Sequence, residues 1–262
     1  MGRMLFAVDV GNTQTHIGVF DDAELVEHWR FATDPSATAD QLAVTIVGLL
    51  GLRGIERGRI DASIVSTVVP QLAPEYAGLS GRHLSAGDDA IDHLEVGPTV
   101  KTGMPIVVDN PHELGADRLV NAVAAFARVG GACVAVDFGT STNFDVVSES
   151  GEYLGGVIGP GVEISMKALT ERTAKLPRID LAQPGRAIGK NTEEAMEAGF
   201  VLGFAGLVDG IARRLRGELG GDVTIIATGG LAGAIRPHCE TIDEVDDLLT
   251  LTGLRLIYDR NR

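Results

Sequence analysis

Two short segments, one near the start of the chain and one near its middle, share the same order of residue types. Residues 6–15 read FAVDVGNTQT and residues 134–142 read VAVDFGTST. Each segment is an apolar, strand-like run that ends in aspartate, continues with x-Gly and then carries hydroxyl or amide side chains. The two aspartates, Asp9 and Asp137, are 128 residues apart in a chain of 262. This repeat predicts two similar halves, each of which opens with a β-hairpin.

The residues that follow each aspartate are suited to binding phosphate. Glycine permits a tight turn in which backbone N–H groups approach an anion, and the hydroxyls of Thr13, Thr15, Thr140 and Thr142 can donate hydrogen bonds to phosphate oxygens. Asp9 could hold Mg²⁺ directly or through water, since Mg²⁺ needs few protein carboxylates. A single Asp-x-Gly segment is ordinary turn chemistry. Because two copies occur about half a chain apart, we favour a pair of hairpins that grip a polyphosphate from both sides.

A third segment could activate the group that accepts a phosphate. Residues 109–118 read DNPHELGADR, in which Asp-Asn-Pro is typical of a turn that leads into a helix. Asp117, in the first turns of that helix, could accept a proton from an attacking hydroxyl. Arg118 could pair with a carboxylate through two hydrogen bonds. On composition alone, a charge pair at the start of a helix is the favoured explanation of these two residues.

The pattern of apolar runs indicates which elements position these segments. Strands are predicted where short runs are rich in β-branched residues, at residues 4–10, 15–20, 62–66, 132–136, 144–147, 223–227 and 254–258. Helices are predicted over residues 41–50, 113–128 and 193–216, the last with Asn191 and Glu194 as its N-terminal cap. Residues 155–161 and 184–189 are rich in glycine and proline and are predicted as loops. Strands that alternate with helices indicate an α/β protein.

Composition and charge exclude several classes of protein. The chain is 45% hydrophobic and 22% charged, which is ordinary for a globular protein and excludes overall disorder. The net charge of -14 opposes binding to nucleic acid or to an anionic membrane surface. No apolar run approaches the ~18 residues of a membrane span, and the start of the chain lacks the anatomy of a signal peptide. We therefore expect a soluble, cytoplasmic protein, in which Cys133 is a buried thiol and the histidines form no zinc site.

Taken together, the motifs resemble those of type III pantothenate kinases, the family that also contains the Bvg accessory factor proteins. The motifs occur in family order, and the resemblance runs from about residue 4 to residue 258. The segments that carry it are DVGNT at residues 9–13, GADR at 115–118, DFGT at 137–140, GG at 155–156 with PG at 160–161, and IGKNT at 188–192. GADR and GKNT are specific in combination, whereas Asp-x-Gly alone is not.

This resemblance implies a fold and a reaction. The fold would be that of the actin-like, sugar-kinase-like superfamily, an α/β fold of two ribonuclease-H-like halves with mixed sheets flanked by helices, in agreement with the internal repeat. We place the two halves at residues 1–116 and 117–262. The reaction would be the ATP-dependent phosphorylation of pantothenate to 4'-phosphopantothenate, the first step of coenzyme A synthesis. The resemblance also implies a homodimer.

The resemblance further implies roles for individual residues. The ATP-binding residues would be Asp9, Val10, Gly11, Asn12, Thr13, Gln14, Thr15, His16 and Thr140. The pantothenate site would be lined by Gly115, Ala116, Asp117 and Arg118, and by Thr192 of the neighbouring subunit. Asp117 would be the catalytic proton acceptor, Asp9 would bind Mg²⁺, and Asp137 would bind a monovalent cation, K⁺ or NH₄⁺.

Two positions depart from the family pattern. Many members carry a substrate-contacting tyrosine just before the Asp-Asn-Pro turn, where this chain has Val108, and a threonine where it has Asn143. Because of Val108, two alternatives stay open: a catalytically weak or non-catalytic regulatory relative, and a kinase for another small substrate that carries a hydroxyl. The proposed base, the two metal-linked aspartates and Thr192 are all intact, which favours an active pantothenate kinase.

Overall fold

The structure, a computed structural model, describes residues 4–84, 91–97 and 99–262. The strands are β1 (Met4–Val10), β2 (Gln14–Asp21), β3 (Glu24–Ala32), β4 (Ile60–Thr67), β5 (Asp92–Glu95), β6 (Cys133–Phe138), β7 (Ser141–Val147), β8 (Tyr153–Pro160), β9 (Thr224–Thr228) and β10 (Glu244–Val245). The helices are α1 (Ala39–Leu52), α2 (Ala73–Leu79), α3 (Ala116–Val129), α4 (Val162–Arg172), α5 (Thr192–Leu219), α6 (Ala232–Ile235) and α7 (Leu249–Asp259).

The strands form two five-stranded sheets with the same topology. The strand order is β3-β2-β1-β4-β5 in the first sheet and β8-β7-β6-β9-β10 in the second. In both sheets the first three strands along the chain are antiparallel neighbours, and the remaining two continue from the central strand in parallel. The repeat in the sequence is thus a repeated sheet, and both predicted hairpins, β1–β2 and β6–β7, are confirmed.

The chain divides by its internal packing into two compact units. The first comprises Met1–Gly103, His112–Ala124 and Thr250–Arg262, and the second comprises Met104–Pro111 and Ala125–Leu249. The chain therefore passes from one unit to the other several times, and α3 contributes residues to both. The boundary between residues 116 and 117 stays a prediction. It divides the chain by its sequence repeat, whereas the packing assigns residues on both sides of that boundary to the first unit.

The first unit has helices on both faces of its sheet. One face packs against α1 and α2 through fully buried side chains such as Phe6, Ile17 and Ile46. The opposite face contacts α7, since a Cβ placed on Gly18 would lie 2.9 Å from Cδ1 of Leu251. Burial of apolar area on both faces supplies the main stabilisation of such a layered unit.

Helix α7 also fixes the position of α3, the helix that begins beside the GADR motif. A side chain at Gly253 would collide with the backbone of Val120, so the two helices pack at close range. The Thr250 hydroxyl donates a hydrogen bond of 2.7 Å to Oδ1 of Asn121 across the same contact. Since α7 also contacts Gly18 on the sheet, it links α3 to the sheet face that carries Asp9.

The second unit is built around the longest helix, α5. Its predicted cap is confirmed, because the Asn191 side chain accepts a hydrogen bond of 2.8 Å from the backbone N–H of Glu194. Side chains from Met196 to Ala212 pack with β6, β7 and β9 in the hydrophobic core of this unit. Cys133 is fully buried in β6, as expected, and its burial raises the pKa of the thiol to about 12.

By length and composition alone, α5 is long and apolar enough to cross a membrane, although no continuous apolar run in its sequence approaches that length. Charged and small residues interrupt its sequence, so its apolar character is visible only as an average over the helix. Within the unit, α5 buries side chains such as Val201 and Val208 completely in the hydrophobic core. The structure therefore uses it as a core helix.

Two predicted elements are wrong. Residues 254–258 were predicted as a strand but lie in α7, where Leu251, Leu254 and Tyr258 are buried at helical spacing. A short apolar run does not distinguish a strand from one turn of a buried helix. Residues 155–161 were predicted as a loop, but all except Gly161 belong to β8, which pairs with β7. Glycines there fit a strand next to a register shift, where Gly155 has φ +118°.

Candidate functional site

The first hairpin places Asp9 next to polar side chains of both neighbouring strands. Asp9 lies near the end of β1, opposite His16 of β2 and Ser66 of β4, so the three side chains share one face of the sheet. The Asp9 side chain is half-buried, and its Oδ1 atom is inaccessible to solvent. A carboxylate at the end of a central strand can ligate Mg²⁺ directly or through water.

The turn between β1 and β2 exposes the residues that could meet a phosphate. The N–H of Gly11 donates a hydrogen bond of 3.0 Å to the carbonyl oxygen of Gln14, which closes the turn. A Cβ on Gly11 would lie 2.9 Å from that same oxygen, so the turn requires glycine. The side chains of Asn12, Thr13 and Gln14 are exposed. Exposed hydroxyl, amide and backbone donors in a tight turn suit an oxyanion.

Three of the predicted ATP-binding residues have buried side chains instead. Val10 packs in the core of the first unit. Thr15 is 1% exposed, and its Oγ1 lies 2.9 Å from Oγ1 of Thr33. Nε2 of His16 lies 3.2 Å from Nδ1 of His28, and burial, helped by nearby cationic groups, lowers the pKa of His16 to about 3. These three side chains shape the hairpin, and none of them is exposed at the turn.

The second hairpin repeats the turn with one residue fewer. The N–H of Gly139 donates a hydrogen bond of 3.0 Å to the carbonyl oxygen of Ser141, and Thr140 at the tip is exposed. A side chain at Gly161 would collide with the carbonyl of Thr140. The PG motif is thereby explained, since Gly161, the residue that precedes α4, packs directly on this turn.

Asp137 occupies the position in the second sheet that Asp9 occupies in the first. Its neighbours across the sheet are Asn143 of β7 and Thr228 of β9, both buried. Gly229 has φ +93°, and a Cβ there would lie 2.5 Å from Oδ1 of Asp137. The close approach and the positive φ both require glycine at this position. Carboxylate, amide and hydroxyl oxygens are the ligands that hard cations prefer.

Asp117 lies in the first turn of α3, where the helix dipole favours a negative charge. Its Oδ1 accepts a hydrogen bond of 2.9 Å from the backbone N–H of Arg118. Burial raises the pKa of the Asp117 carboxyl, while the hydrogen bond and charge of Arg118 offset part of that increase. The Asp117 carboxylate therefore has more affinity for a proton than an ordinary aspartate, which suits a proton acceptor.

Thr192 is the first residue of α5 and is exposed. The segment before it is fixed in place, because a side chain at Gly189 would collide with the backbone of Glu194 and Ala195. The carboxylate of Glu194 also accepts a hydrogen bond of 2.9 Å from the N–H of Lys190. The glycine and the asparagine of the GKNT motif thus shape a helix start that presents Thr192 to solvent.

The predicted residues fall into two groups by unit. Asp9, the first turn and Asp117 belong to the first unit, whereas Asp137, Thr140 and Thr192 belong to the second. Within residues 4–84, 91–97 and 99–262, no three or more His, Cys, Asp or Glu side chains cluster in a way that could hold a metal ion. A cation that takes one aspartate and completes its shell with water or phosphate oxygens remains compatible with Asp9 and with Asp137.

Sequence reasoning missed Thr33, which contacts the first turn. The Thr33 hydroxyl donates a hydrogen bond of 2.8 Å to the carbonyl oxygen of Gly11. Thr33 follows β3 and lies 22 residues from Gly11 along the chain, so no local motif links the two. Only the pairing of β3 with β2 brings them together.

Comparison with known proteins identifies relatives over the whole chain. The family model for type III pantothenate kinases matches residues 5–214. A type III pantothenate kinase of Myxococcus xanthus is 48% identical over 258 residues, which cover 98% of this chain and 99% of that protein. One of Streptomyces griseus is 51% identical over 265 residues, with 98% of each chain covered.

Solved structures with the same fold have diverged much further in sequence. A Campylobacter jejuni protein assigned to the Baf family of transcriptional activators matches with a TM-score of 0.61 at 17% identity, covering 98% of both chains. A Porphyromonas gingivalis protein assigned as an N-acetylglucosamine kinase matches with a TM-score of 0.54 at 14% identity, covering 98% of this chain and 99% of that one. Identities this low show the fold alone, which is the actin-like, sugar-kinase-like α/β fold.

Proposed function

The chain belongs to the type III pantothenate kinase family, and we propose which of its residues carry out the reaction of that family. The enzyme phosphorylates pantothenate with ATP, in the synthesis of coenzyme A. The observation that carries our assignment is Asp117, a carboxylate with a raised pKa at the start of α3, in a motif that the family resemblance places at the substrate.

Asp117 acts as the proton acceptor in this proposal. The pantothenate hydroxyl oxygen forms a bond to the γ-phosphorus of ATP, the bond from that phosphorus to the bridging oxygen breaks, and ADP leaves with the electron pair. The hydroxyl proton passes to the Asp117 carboxylate. A raised pKa keeps that carboxyl a better proton acceptor than an exposed aspartate. The ground-state hydrogen bond from the Arg118 N–H holds the carboxylate in one orientation.

The two hairpins bind the phosphate chain of ATP. The exposed donors of Asn12, Thr13 and Gln14 serve one set of phosphate oxygens, and Thr140 serves another. Asp9 holds Mg²⁺ directly or through water, and that ion, when bound, neutralises charge on the phosphates. Val10, Thr15 and His16 contribute through the backbone and by shaping the hairpin, since their side chains are buried.

Asp137 binds the monovalent cation, K⁺ or NH₄⁺. Its oxygen-rich surroundings, with Asn143 and Thr228 beside it, fit such an ion. When bound, the ion supplies a positive charge next to the second phosphate turn. Gly229 keeps the space around the Asp137 carboxylate open, because any side chain there would displace it.

Pantothenate is an anion, and in a chain of net charge -14 it needs a local cation to bind. We assign that role to Arg118, next to the base, with Gly115 and Ala116 lining the pocket. Thr192 of a neighbouring subunit completes the site. The second unit has a surface on which two subunits could pair. This surface consists of an exposed face of α5 with Gly199, Gly203 and Gly206, and of the exposed side chains of Ile158 and Ile164. We also propose that the enzyme acts in the cytoplasm.

A coupled assay of ADP release tests the function and its alternatives together. We expect turnover that requires pantothenate and that is higher in K⁺ than in Na⁺. Turnover only with another hydroxyl substrate would support the alternative kinase, and no turnover with any acceptor would support a non-catalytic relative. Asp117→Asn should lower kcat by about 10² or more, the range of general-base catalysis. An unchanged kcat in that variant would contradict the base assignment.

Mixing two impaired variants tests whether Thr192 reaches a neighbouring site. Asp117→Asn removes the base, and Thr192→Arg blocks the pocket that the other subunit completes. If the two residues serve one site from different subunits, mixed dimers contain one intact site, and a random mixture regains about a quarter of wild-type activity. If each subunit uses its own Thr192, every site in the mixture carries a defect and no activity returns. Light scattering on the same samples establishes the oligomeric state.

A further inference from the structure

The first phosphate turn is held by Thr33, a residue to which neither the motifs nor the family resemblance gives a role. The Thr33 hydroxyl donates to the carbonyl oxygen of Gly11 at 2.8 Å. The Thr33 backbone N–H donates to the carbonyl oxygen of Thr13 at 3.0 Å. Thr33 thus binds the Gly11–Asn12 and the Thr13–Gln14 peptide groups, which lie on either side of the Asn12–Thr13 peptide at the tip of the turn. These are backbone acceptors, so the contacts do not depend on the turn side chains.

The hydroxyl contact belongs to a directed chain of hydrogen bonds. A threonine hydroxyl has one proton, and that of Thr33 goes to Gly11, because a carbonyl oxygen can only accept. Oγ1 of Thr15 lies 2.9 Å from Oγ1 of Thr33, so Thr15 must be the donor of that second bond. Thr15 is 1% exposed, which shields this bond from competing water. The chain therefore runs from Thr15 through Thr33 to Gly11.

This arrangement fixes the direction of the donors at the turn. The C=O and N–H of a planar trans peptide point in opposite directions, and the described part of the chain contains no cis peptide bond. With the Gly11 carbonyl held by Thr33, the N–H of Asn12 must point away from Thr33. The same argument applies to the N–H of Gln14, since Thr33 also binds the Thr13 carbonyl.

We propose that Thr33 is a positioning residue that orients the N–H groups of the first turn toward the ATP phosphates. The proposal rests on the assignment of residues 9–16 to ATP binding and deepens it, since Thr33 acts through Gly11 and Thr13 without contacting the nucleotide. A positioning role predicts a selective effect on nucleotide binding. A merely structural role predicts loss of stability and of affinity for both substrates alike.

The test compares Thr33→Val, which keeps the shape but removes the hydroxyl, with Thr33→Ser, which keeps the hydroxyl. For Thr33→Val we expect the KM for ATP to rise by about threefold to tenfold, the loss expected for one neutral hydrogen bond. The KM for pantothenate at saturating ATP should be unchanged, and Thr33→Ser should restore the KM for ATP. Thr45→Val is the matched control, because the Thr45 hydroxyl bonds the Gln41 carbonyl of its own helix.

The dissociation constant for ADP, measured by calorimetry, gives a second readout that needs no turnover. Thr33→Val should weaken ADP binding by the same factor, and Thr45→Val should leave it unchanged. If Thr33→Val does not fold, Thr33→Ala removes the same hydroxyl from a smaller side chain. The proposal is overturned if the variant binds ADP and ATP like the wild type, or if Thr33→Ser is as impaired as Thr33→Val. Absence of pantothenate-dependent turnover in the wild type would overturn the proposed function instead, and the ADP measurement would still decide the role of Thr33.

Discussion

The carboxylate of Asp117 occupies the space that a side chain at Gly115 would fill. A Cβ on Gly115 would lie 2.6 Å from Oδ1 of Asp117, well inside van der Waals contact. The same oxygen accepts the hydrogen bond from the Arg118 N–H. Glycine at position 115 is therefore required by the position of the Asp117 carboxylate, the base in our proposal. This relationship explains why the GADR motif begins with glycine, although Gly115 has no chemistry of its own.

Replacing Gly115 by alanine should separate activity from stability. The added Cβ would push the flexible end of the Asp117 side chain away from its present position, which costs little folding energy. Misplacement of a catalytic group by about 1 Å can lower the rate by about 10²-fold, so we expect kcat to fall while the melting temperature stays close to that of the wild type. Gly48→Ala is the control, since a Cβ on this exposed residue of α1 meets nothing within 4 Å. A Gly115→Ala enzyme with full kcat would show that the carboxylate position does not matter.

Asp117→Asn should stabilise the fold while it removes activity. Burial raises the pKa of the Asp117 carboxyl above its unfolded value, so the folded protein holds this proton more tightly than the unfolded chain. The ionised carboxylate therefore destabilises the fold at pH 7, and this penalty disappears as the pH falls below the unfolded pKa of 3.8. We expect a higher melting temperature for the variant at pH 7 and a smaller difference near pH 4. A lower melting temperature at pH 7 would mean that the charge is stabilised in the folded state.

His16 should make the fold sensitive to acid. Its pKa is lowered from 6.5 to about 3, chiefly by burial, so the folded protein keeps the ring neutral where the unfolded chain protonates it. Below pH 6.5 unfolding takes up a proton, and this group alone lowers the free energy of unfolding by up to about 1.4 kcal/mol per pH unit. Urea titrations at several pH values give the free energy of unfolding as a function of pH. Between pH 6.5 and 4, this free energy should fall less steeply with decreasing pH in His16→Gln than in the wild type. Equal slopes in the variant and the wild type would exclude His16 as the cause.

The sequence predicted those parts of the site that are local in the chain. The Asp-x-Gly hairpins, the cap of α5 and the GADR helix start each depend on residues within a few positions of one another, so their patterns are readable. Thr33 was not predictable, because its contact with Gly11 requires strands β2 and β3 to pair first. Residues 254–258 were assigned to a strand because a segment of five residues, four of them apolar, carries too little periodicity to reveal the helix α7.

The equivalence of Asp9 and Asp137 in the two sheets leads to a paired prediction about cations. Each aspartate lies near the end of the central strand, between one antiparallel and one parallel neighbour, but we assign Mg²⁺ to the first and K⁺ or NH₄⁺ to the second. An asparagine keeps one oxygen ligand and loses the charge, so it should weaken only the ion at its own position. Asp137→Asn should raise the K⁺ concentration for half-maximal activity by about tenfold, equal to the loss of about 1.4 kcal/mol of binding energy, and leave the Mg²⁺ dependence unchanged. Asp9→Asn should instead raise the Mg²⁺ concentration for half-maximal activity and leave the K⁺ dependence unchanged. Activity titrations with each ion check both variants, and a shift of the same size for both ions in either variant would contradict separate sites.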